Sequence, residues 1–157
     1  MVTDDLEKEI IEYINSHRLC TIALSRSNVP SAHTVYYIND GLELFFEADP
    51  ITDKVKTIQV NPKIALTIDE DYDDFGRIKG IQLVGRAVMV PKDHEDELRH
   101  KHADRFPSAK DYGGVPDHHV WIKVVPEKIY FLDYEKEFGH RTILHFEEKQ
   151  SRIKWGG

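Results

Sequence analysis

Leu6, Ile10, Tyr13 and Ile14 repeat at the three- and four-residue spacing of a helix with one buried stripe. Asp4 with Glu7 fits a capping box at its start, and such a helix is expected to lie on a sheet. Beyond it the pattern changes to strand-like runs. Residues 20–25 read as a first strand, Ser27-Asn28 as a turn, and 32–38, rich in β-branched and aromatic residues, as a second. Asn39-Asp40-Gly41 predicts a tight hairpin, because these residues tolerate positive φ, and 42–47 follows as a third strand. Asp49 before Pro50 fits an N-cap and first helical position, with Ile51, Val55 and Ile58 as the apolar stripe and Asn61-Pro62 as the stop. Residues 63–69 read as a strand, 70–76 as an acidic loop, and 79–90 as a long strand in which Gly85 marks a bulge. A polar helix is expected over 93–102, with Leu98 as its main apolar residue. A Pro- and Gly-rich loop over 104–117 follows, then two closing strands, 118–125 and 127–133, separated by Pro126. From Tyr134 the chain is expected to be irregular or to add one short strand.

Strands joined mostly by hairpins, with a single strand-helix-strand crossover, favour a mainly β architecture with flanking helices, a Greek-key or meander barrel, over a doubly wound sheet. The length of 157 residues and 40% hydrophobic content fit one domain over 1–157. The formal charge of -7, with 21 Lys and Arg interleaved among 28 acids, argues against an extended nucleic-acid-binding face. No apolar run approaches the roughly 20 residues of a membrane span, and the N-terminus is acidic where a secretion signal is basic. A lone Cys20 in an apolar run excludes an intrachain disulfide and a Cys-rich zinc site. A cytoplasmic protein with neither membrane nor nucleic-acid partners is expected.

Against this acidic background, Thr52, Lys54 and Lys56 stand at the start of the 50–58 helix, where free N–H groups attract anions. A phosphorylated ligand is one reading; lysines solvating the outer face of an amphipathic helix is the other. Strand alternation puts His33, Val35 and Tyr37 on one face and Ala32, Thr34, Tyr36 and Ile38 on the other. Nine histidines invite a metal, but His118 and His119 are expected on opposite faces of a strand, and no tetrahedral Cys/His pattern is present, so no metal is expected. There is no Gly-x-Ser-x-Gly nucleophile motif and no Gly-x-Gly-x-x-Gly dinucleotide fingerprint. Arg77, Lys79 and Arg86 flank the long strand as possible supplements to an anionic pocket.

Several pieces in order carry a resemblance over about residues 6–133. They are Leu19-Cys-Thr-Ile-Ala-Leu24, Val29-Pro30 with Val35-Tyr36-Tyr37-Ile38, Asp40-Gly41 with Leu44-Phe45-Phe46, and Thr52-Asp-Lys54-Val-Lys56. They continue with Asn61-Pro62-Lys-Ile-Ala-Leu66, Val84-Gly85-Arg86-Ala87 and Pro126-Glu-Lys-Ile-Tyr-Phe-Leu-Asp133. In this set the chain resembles the pyridoxamine 5'-phosphate oxidase-like family of FMN-binding split barrels. The resemblance implies a homodimer with FMN in a cleft between subunits. Lys54 matches the family lysine on the FMN phosphate, with Thr52 beside it and Lys56 as a second cation. His33 falls where many members place an arginine toward the flavin, and Thr34 and Val35 run along its ring or ribityl chain. Phe46, Glu47 and Ala48 match the strand end beside the ribityl phosphate, with Glu47 and Ala48 where members often present hydroxyls. Gly139-His140-Arg141 invites comparison with the family's C-terminal substrate-side elements. The implied activity is FMN-dependent oxidation or reduction, with NAD(P)H or another small molecule against the ring and no catalytic residue assignable. The alternatives are a flavin-binding or electron-carrier protein without turnover, or a haem-binding relative.

Overall fold

The computed structural model describes residues 2–146; the expected domain's segment 147–157 lies outside the described residues. The elements are α1 (Val2–Asn15), β1 (Leu19–Arg26), β2 (Val29–Tyr36), β3 (Ile38–Asp40), β4 (Glu43–Ala48), α2 (Asp53–Val60), β5 (Lys63–Ile68), β6 (Lys79–Met89), α3 (Glu95–Arg105), β7 (Val120–Asp133) and β8 (Arg141–His145). All strand pairs are antiparallel, in the order β2-β1-β5-β6-β7-β4-β3, and β8 adds to the far half of β7. The two edges of this path are β2 and β3, and one residue, Tyr37, joins them along the chain. A sheet whose opposite edges are covalent neighbours has to curl onto itself, and the result is the split barrel.

Side-chain alternation fills the barrel from every wall. Ile22, Leu44, Phe46, Leu66, Ile81 and Ile122 point inward, and α1 closes the interior with Ile10 and Ile14, both fully buried. Burial on this scale contributes about 1.5–3 kcal/mol per large aliphatic side chain. The end of α1 is held by polar contacts: the Tyr37 hydroxyl donates to the Ile14 carbonyl at 2.6 Å, and Arg105 donates to the Asn15 and His17 carbonyls at 2.7 and 2.8 Å. The opposite face of β3-β4-β7 carries a second core of Ile38, Phe45, Val90, Leu98 and Trp121, covered by α3. Cys20 is buried in the barrel, and burial pushes its thiol pKa up to about 12, which leaves it an inert apolar filler.

Gly85 forms the expected bulge. The β6/β7 register shifts between Val84 and Gly85, and a Cβ on Gly85 would collide with the Val125 carbonyl oxygen. This bulge explains a correction. Residues 120–133 form one continuous strand in which Pro126 sits opposite Gly85, where the irregular register tolerates a missing N–H. Other boundaries also differ. Ser27 and Asn28 make the β1/β2 turn with φ of 51° and 63°, whereas Asn39 and Asp40 belong to β3 and the hairpin turns at Gly41-Leu42. Asp4 lies in the first turn of α1 instead of capping it. Alternation carries through the end of β2 as expected: Val35 and Tyr37 enter the barrel core, Tyr36 is exposed, and Ile38 packs in the second core on the opposite face. Asp49-Pro50-Ile51-Thr52 forms a turn ahead of α2: the Ile51 N–H donates to Asp49 Oδ1 at 3.0 Å, and Thr52 donates its N–H and hydroxyl to the Asp49 carbonyl at 3.1 and 2.7 Å. Thr52 is therefore the N-cap, Pro50 precedes the helix, and Ile51 is exposed while Val55 and Ile58 are buried.

Candidate functional site

The expected 104–117 loop is structured. After a 3-10 turn at Lys92–His94, α3 continues to Arg105, and a second 3-10 stretch covers Pro107–Tyr112 before Gly113 and Gly114 take positive φ. The polar helix is anchored in two ways. Leu98 enters the second core, and Arg99 donates to the Val115, Pro116 and Asp117 carbonyls at 3.0, 3.3 and 3.4 Å while pairing with buried Glu95. Lys92 adds a bond to the Asp117 carbonyl at 2.9 Å. These contacts hold residues 113–117 as a wall facing the end of β4.

Between that wall and the barrel lies a cavity of about 620 Å³, within the range of small-molecule sites. Thr34, Val35 and Tyr36 of β2 form one side; Glu47 and Ala48 at the end of β4, with Asp49, form the floor; Thr52 and Lys54 stand at the start of α2. The far wall is apolar and aromatic, built by Phe106, Ala109, Tyr112 and Val115 with the hydroxyl of Ser108, and His102 and His119 complete it. Tyr36 and Phe106 meet edge to face at 5.3 Å across the cavity. Thus Thr34, Val35, Glu47, Ala48, Thr52 and Lys54 are brought together as lining residues.

The other three expected site residues lie elsewhere. Phe46 points into the barrel core, because alternation along β4 sends Leu44, Phe46 and Ala48 inward and Phe45 and Glu47 outward. Lys56 is exposed on α2 and does not line the cavity. His33 also stays outside the lining, with Nε2 on Ser31 Oγ at 3.0 Å; partial burial and the nearby Lys54 charge lower its pKa. Among the flanking basic residues, Lys79 pairs with Asp133 and Glu135, and the Arg141 guanidinium lies over Tyr130 at 4.3 Å on the β8 half of the sheet.

The acids at the floor are engaged. Glu47 bonds His119 Nδ1. Asp49 is held below the ordinary carboxylate pKa, first by the Ile51 N–H and then by His118, whose Nε2 lies 3.4 Å from Oδ2. The two histidines do not point to opposite strand faces. They precede β7, His118 in a turn and His119 just before the strand, and their rings meet at 4.9 Å. The half-buried His102 ring packs edge-on to Trp121 at 5.8 Å, and desolvation lowers its pKa.

None of the wall residues 102–119 is among the expected site residues. β4 pairs with β7 in the register that sets Ala48 opposite Val120, and this register carries His119 to the level of Asp49. The Arg99 bonds had no sequence signal, since they join a helix side chain to loop carbonyls.

Residues 6–133 match the pyridoxamine 5'-phosphate oxidase family, and the chain belongs to that family. General stress protein 26 of Bacillus subtilis (strain 168) is 19% identical over 134 residues, 85% of this chain and 92% of the relative. Solved structures share the fold, among them the following two. An FAD-binding protein from Mesorhizobium loti matches with a TM-score of 0.62 and 19% identity over 78% of this chain and 88% of its own. HutZ, the haem storage protein of Vibrio cholerae, matches with a TM-score of 0.66 and 20% identity over 78% and 90%. Among the described residues no helix is long and apolar enough to cross a membrane.

Proposed function

We propose that this member of the pyridoxamine 5'-phosphate oxidase family is a homodimeric, FMN-dependent oxidoreductase whose flavin occupies the cavity between β2, the start of α2 and the 102–119 wall. The observation that carries the reading is the convergence of Thr34, Val35, Glu47, Ala48, Thr52 and Lys54 on one cavity of about 620 Å³. Its chemistry fits the cofactor: a cation at one end, apolar and aromatic side chains across the middle, and hydroxyls at the rim.

Lys54 supplies the charge for the phosphate. The Thr52 side chain makes no cap to α2, so the first helical N–H groups are available to the same anion. The Thr52 hydroxyl proton is already donated to the Asp49 carbonyl, so Thr52 contributes mainly through the turn that presents the helix. Val35 and Phe106 offer the apolar surface for a ring. Glu47 is compatible with the phosphate because His119 pairs with it. FMN, when bound, supplies hydride and electron transfer; the side chains bind, orient and exclude water. The paired residues Leu19 and Tyr36, both exposed apolar side chains at the cavity side of β1 and β2, support a second copy covering this region.

A haem reading has one observation in its favour: His102, kept neutral by burial, lines the same cavity and is suited to bind iron. An absorption spectrum of the protein purified without added cofactor, followed by FMN and haemin titrations, separates the readings. Oxidised-flavin bands with stoichiometric FMN uptake are expected. A Soret band abolished by His102→Ala, with no FMN uptake, selects haem. Light scattering at micromolar concentration is expected to give the mass of a dimer, and a monomer refutes the assembly.

A further inference from the structure

The cleft floor holds a group of side chains that phosphate binding does not use. Asp49, His118 and His119 each present a ligand-capable atom, and these atoms all lie within 4.8 Å of one another. Among the described residues no other trio of His, Cys, Asp or Glu meets that spacing. Tetrahedral coordination at metal–ligand bonds of about 2.0–2.1 Å separates neighbouring ligand atoms by about 3.3–3.4 Å. Asp49 Oδ2 and His118 Nε2 are 3.4 Å apart.

The surroundings add two features of a metal centre. Asp49 is oriented by its own backbone, since Oδ1 accepts the Ile51 N–H and leaves Oδ2 facing the histidines. His119 uses Nδ1 on the Glu47 carboxylate, which fixes the ring and leaves the other nitrogen for an ion. This carboxylate–histidine arrangement is the one that orients imidazole ligands and raises their basicity.

We infer that Asp49, His118 and His119 form a binding site for a divalent first-row transition ion of the zinc class at the floor of the cleft, with Glu47 as the residue that positions His119. Two imidazoles and one carboxylate suit such ions better than Mg²⁺ or Ca²⁺, which prefer all-oxygen sets. Three protein ligands leave at least one coordination position for water or an anionic ligand. Asp49 and His119 also line the cavity assigned to the flavin, so the ion is tested on the chain without flavin.

Titration of the flavin-free full chain with Co²⁺, followed by visible d–d absorption and by Zn²⁺ displacement, tests this directly. One equivalent of Co²⁺ with a low-coordinate spectrum is expected. Binding should weaken at least tenfold in Asp49→Asn and His118→Ala, and about 10–100-fold in Glu47→Gln, the range for loss of a residue that orients a ligand. His94→Ala and His100→Ala should bind as the parent does. Asp49→Asn retains an acceptor for the Ile51 N–H, so the turn persists; a circular dichroism spectrum matching the parent would exclude unfolding as the cause. Absence of a Co²⁺ spectrum in the parent, or equal affinity in all five ligand-region and control variants, overturns the site. Neither result bears on FMN uptake, which is read separately at flavin wavelengths.

Discussion

Replacing Lys54 by alanine tests the phosphate seat most directly. Lys54 is half-buried at the cleft while Lys56, two residues on, is exposed and outside the lining, so the pair forms an internal control. A hydrogen bond to a charged group contributes about 1.5–3 kcal/mol, which corresponds to roughly a 10- to 150-fold change in affinity at 1.4 kcal/mol per tenfold. The acids at the floor do not cancel this, because Glu47 and Asp49 are engaged with His119 and His118. Lys54→Ala should therefore weaken FMN binding by that factor, and Lys56→Ala by less than about threefold, as expected for an exposed, screened charge. Riboflavin, which has the ring but no phosphate, provides the decisive comparison. Fluorescence-quenching titrations of both flavins should show the FMN preference collapsing in Lys54→Ala with riboflavin affinity unchanged. Equal loss for both ligands would mean that Lys54 shapes the ring site or the fold, and an unchanged FMN preference would remove it from the phosphate. The His33 pKa is lowered first by desolvation and second by the Lys54 charge; the substitution deletes the second cause, so the His33 ring resonances should titrate at higher pH in the variant.

Three further outcomes follow from the fold around the cleft. Gly85→Ala forces a Cβ into the Val125 carbonyl, a backbone group that cannot rotate away, and should destabilise the barrel by about 3 kcal/mol; an unfolding free energy lowered by less than about 0.5 kcal/mol would show that the bulge is not needed. Arg99→Ala removes the bonds to the Val115, Pro116 and Asp117 carbonyls and a partner of buried Glu95. Hydrogen exchange at residues 113–117 should accelerate at least tenfold, with core strands unaffected. His102 has its pKa lowered below 6.5, first by desolvation, with Glu47 opposing. The unfolded chain then binds this proton more tightly than the folded one, so the stabilisation is complete above 6.5, falls as pH drops through that value, and levels off below the folded pKa. The difference in Tm between the parent and His102→Gln should follow that curve; a difference independent of pH would refute it.

The barrel was legible where local chemistry and burial agree. Ile10 and Ile14 marked α1, Ser27-Asn28 marked its turn, and Gly85 marked its bulge, because each is a local demand with a local signal. Pro126 misled because its usual meaning, an end to strand pairing, was overridden by the irregular register opposite Gly85. Asp49-Pro50 misled in a related way: the same residues that start a helix also build an Asx turn, and burial of Val55 and Ile58 with exposure of Ile51 placed the helix three residues later. Half of the cleft was legible, namely the residues on β2, β4 and α2. The other half comes from residues 102–119, whose composition reads as loop and whose position depends on Arg99 bonding to carbonyls, a contact with no periodicity to betray it.

Glu47 illustrates how a local anomaly resolves only in three dimensions. An acid at the strand end beside a phosphate seat is electrostatically unfavourable when considered on β4 alone. Pairing of β4 with β7 brings His119 to that strand end, and its ring nitrogen takes the carboxylate. The acid and the histidine are then one unit: removing Glu47 frees the His119 ring, and removing His119 leaves a carboxylate uncompensated in a cleft that has to accept an anion. The two substitutions should therefore be strongly non-additive in a double-mutant cycle on FMN affinity, with His119→Ala more damaging alone than together with Glu47→Ala. Additive effects would mean that the pair acts as two independent surface residues, and would return the acid to being an unexplained feature of the strand end.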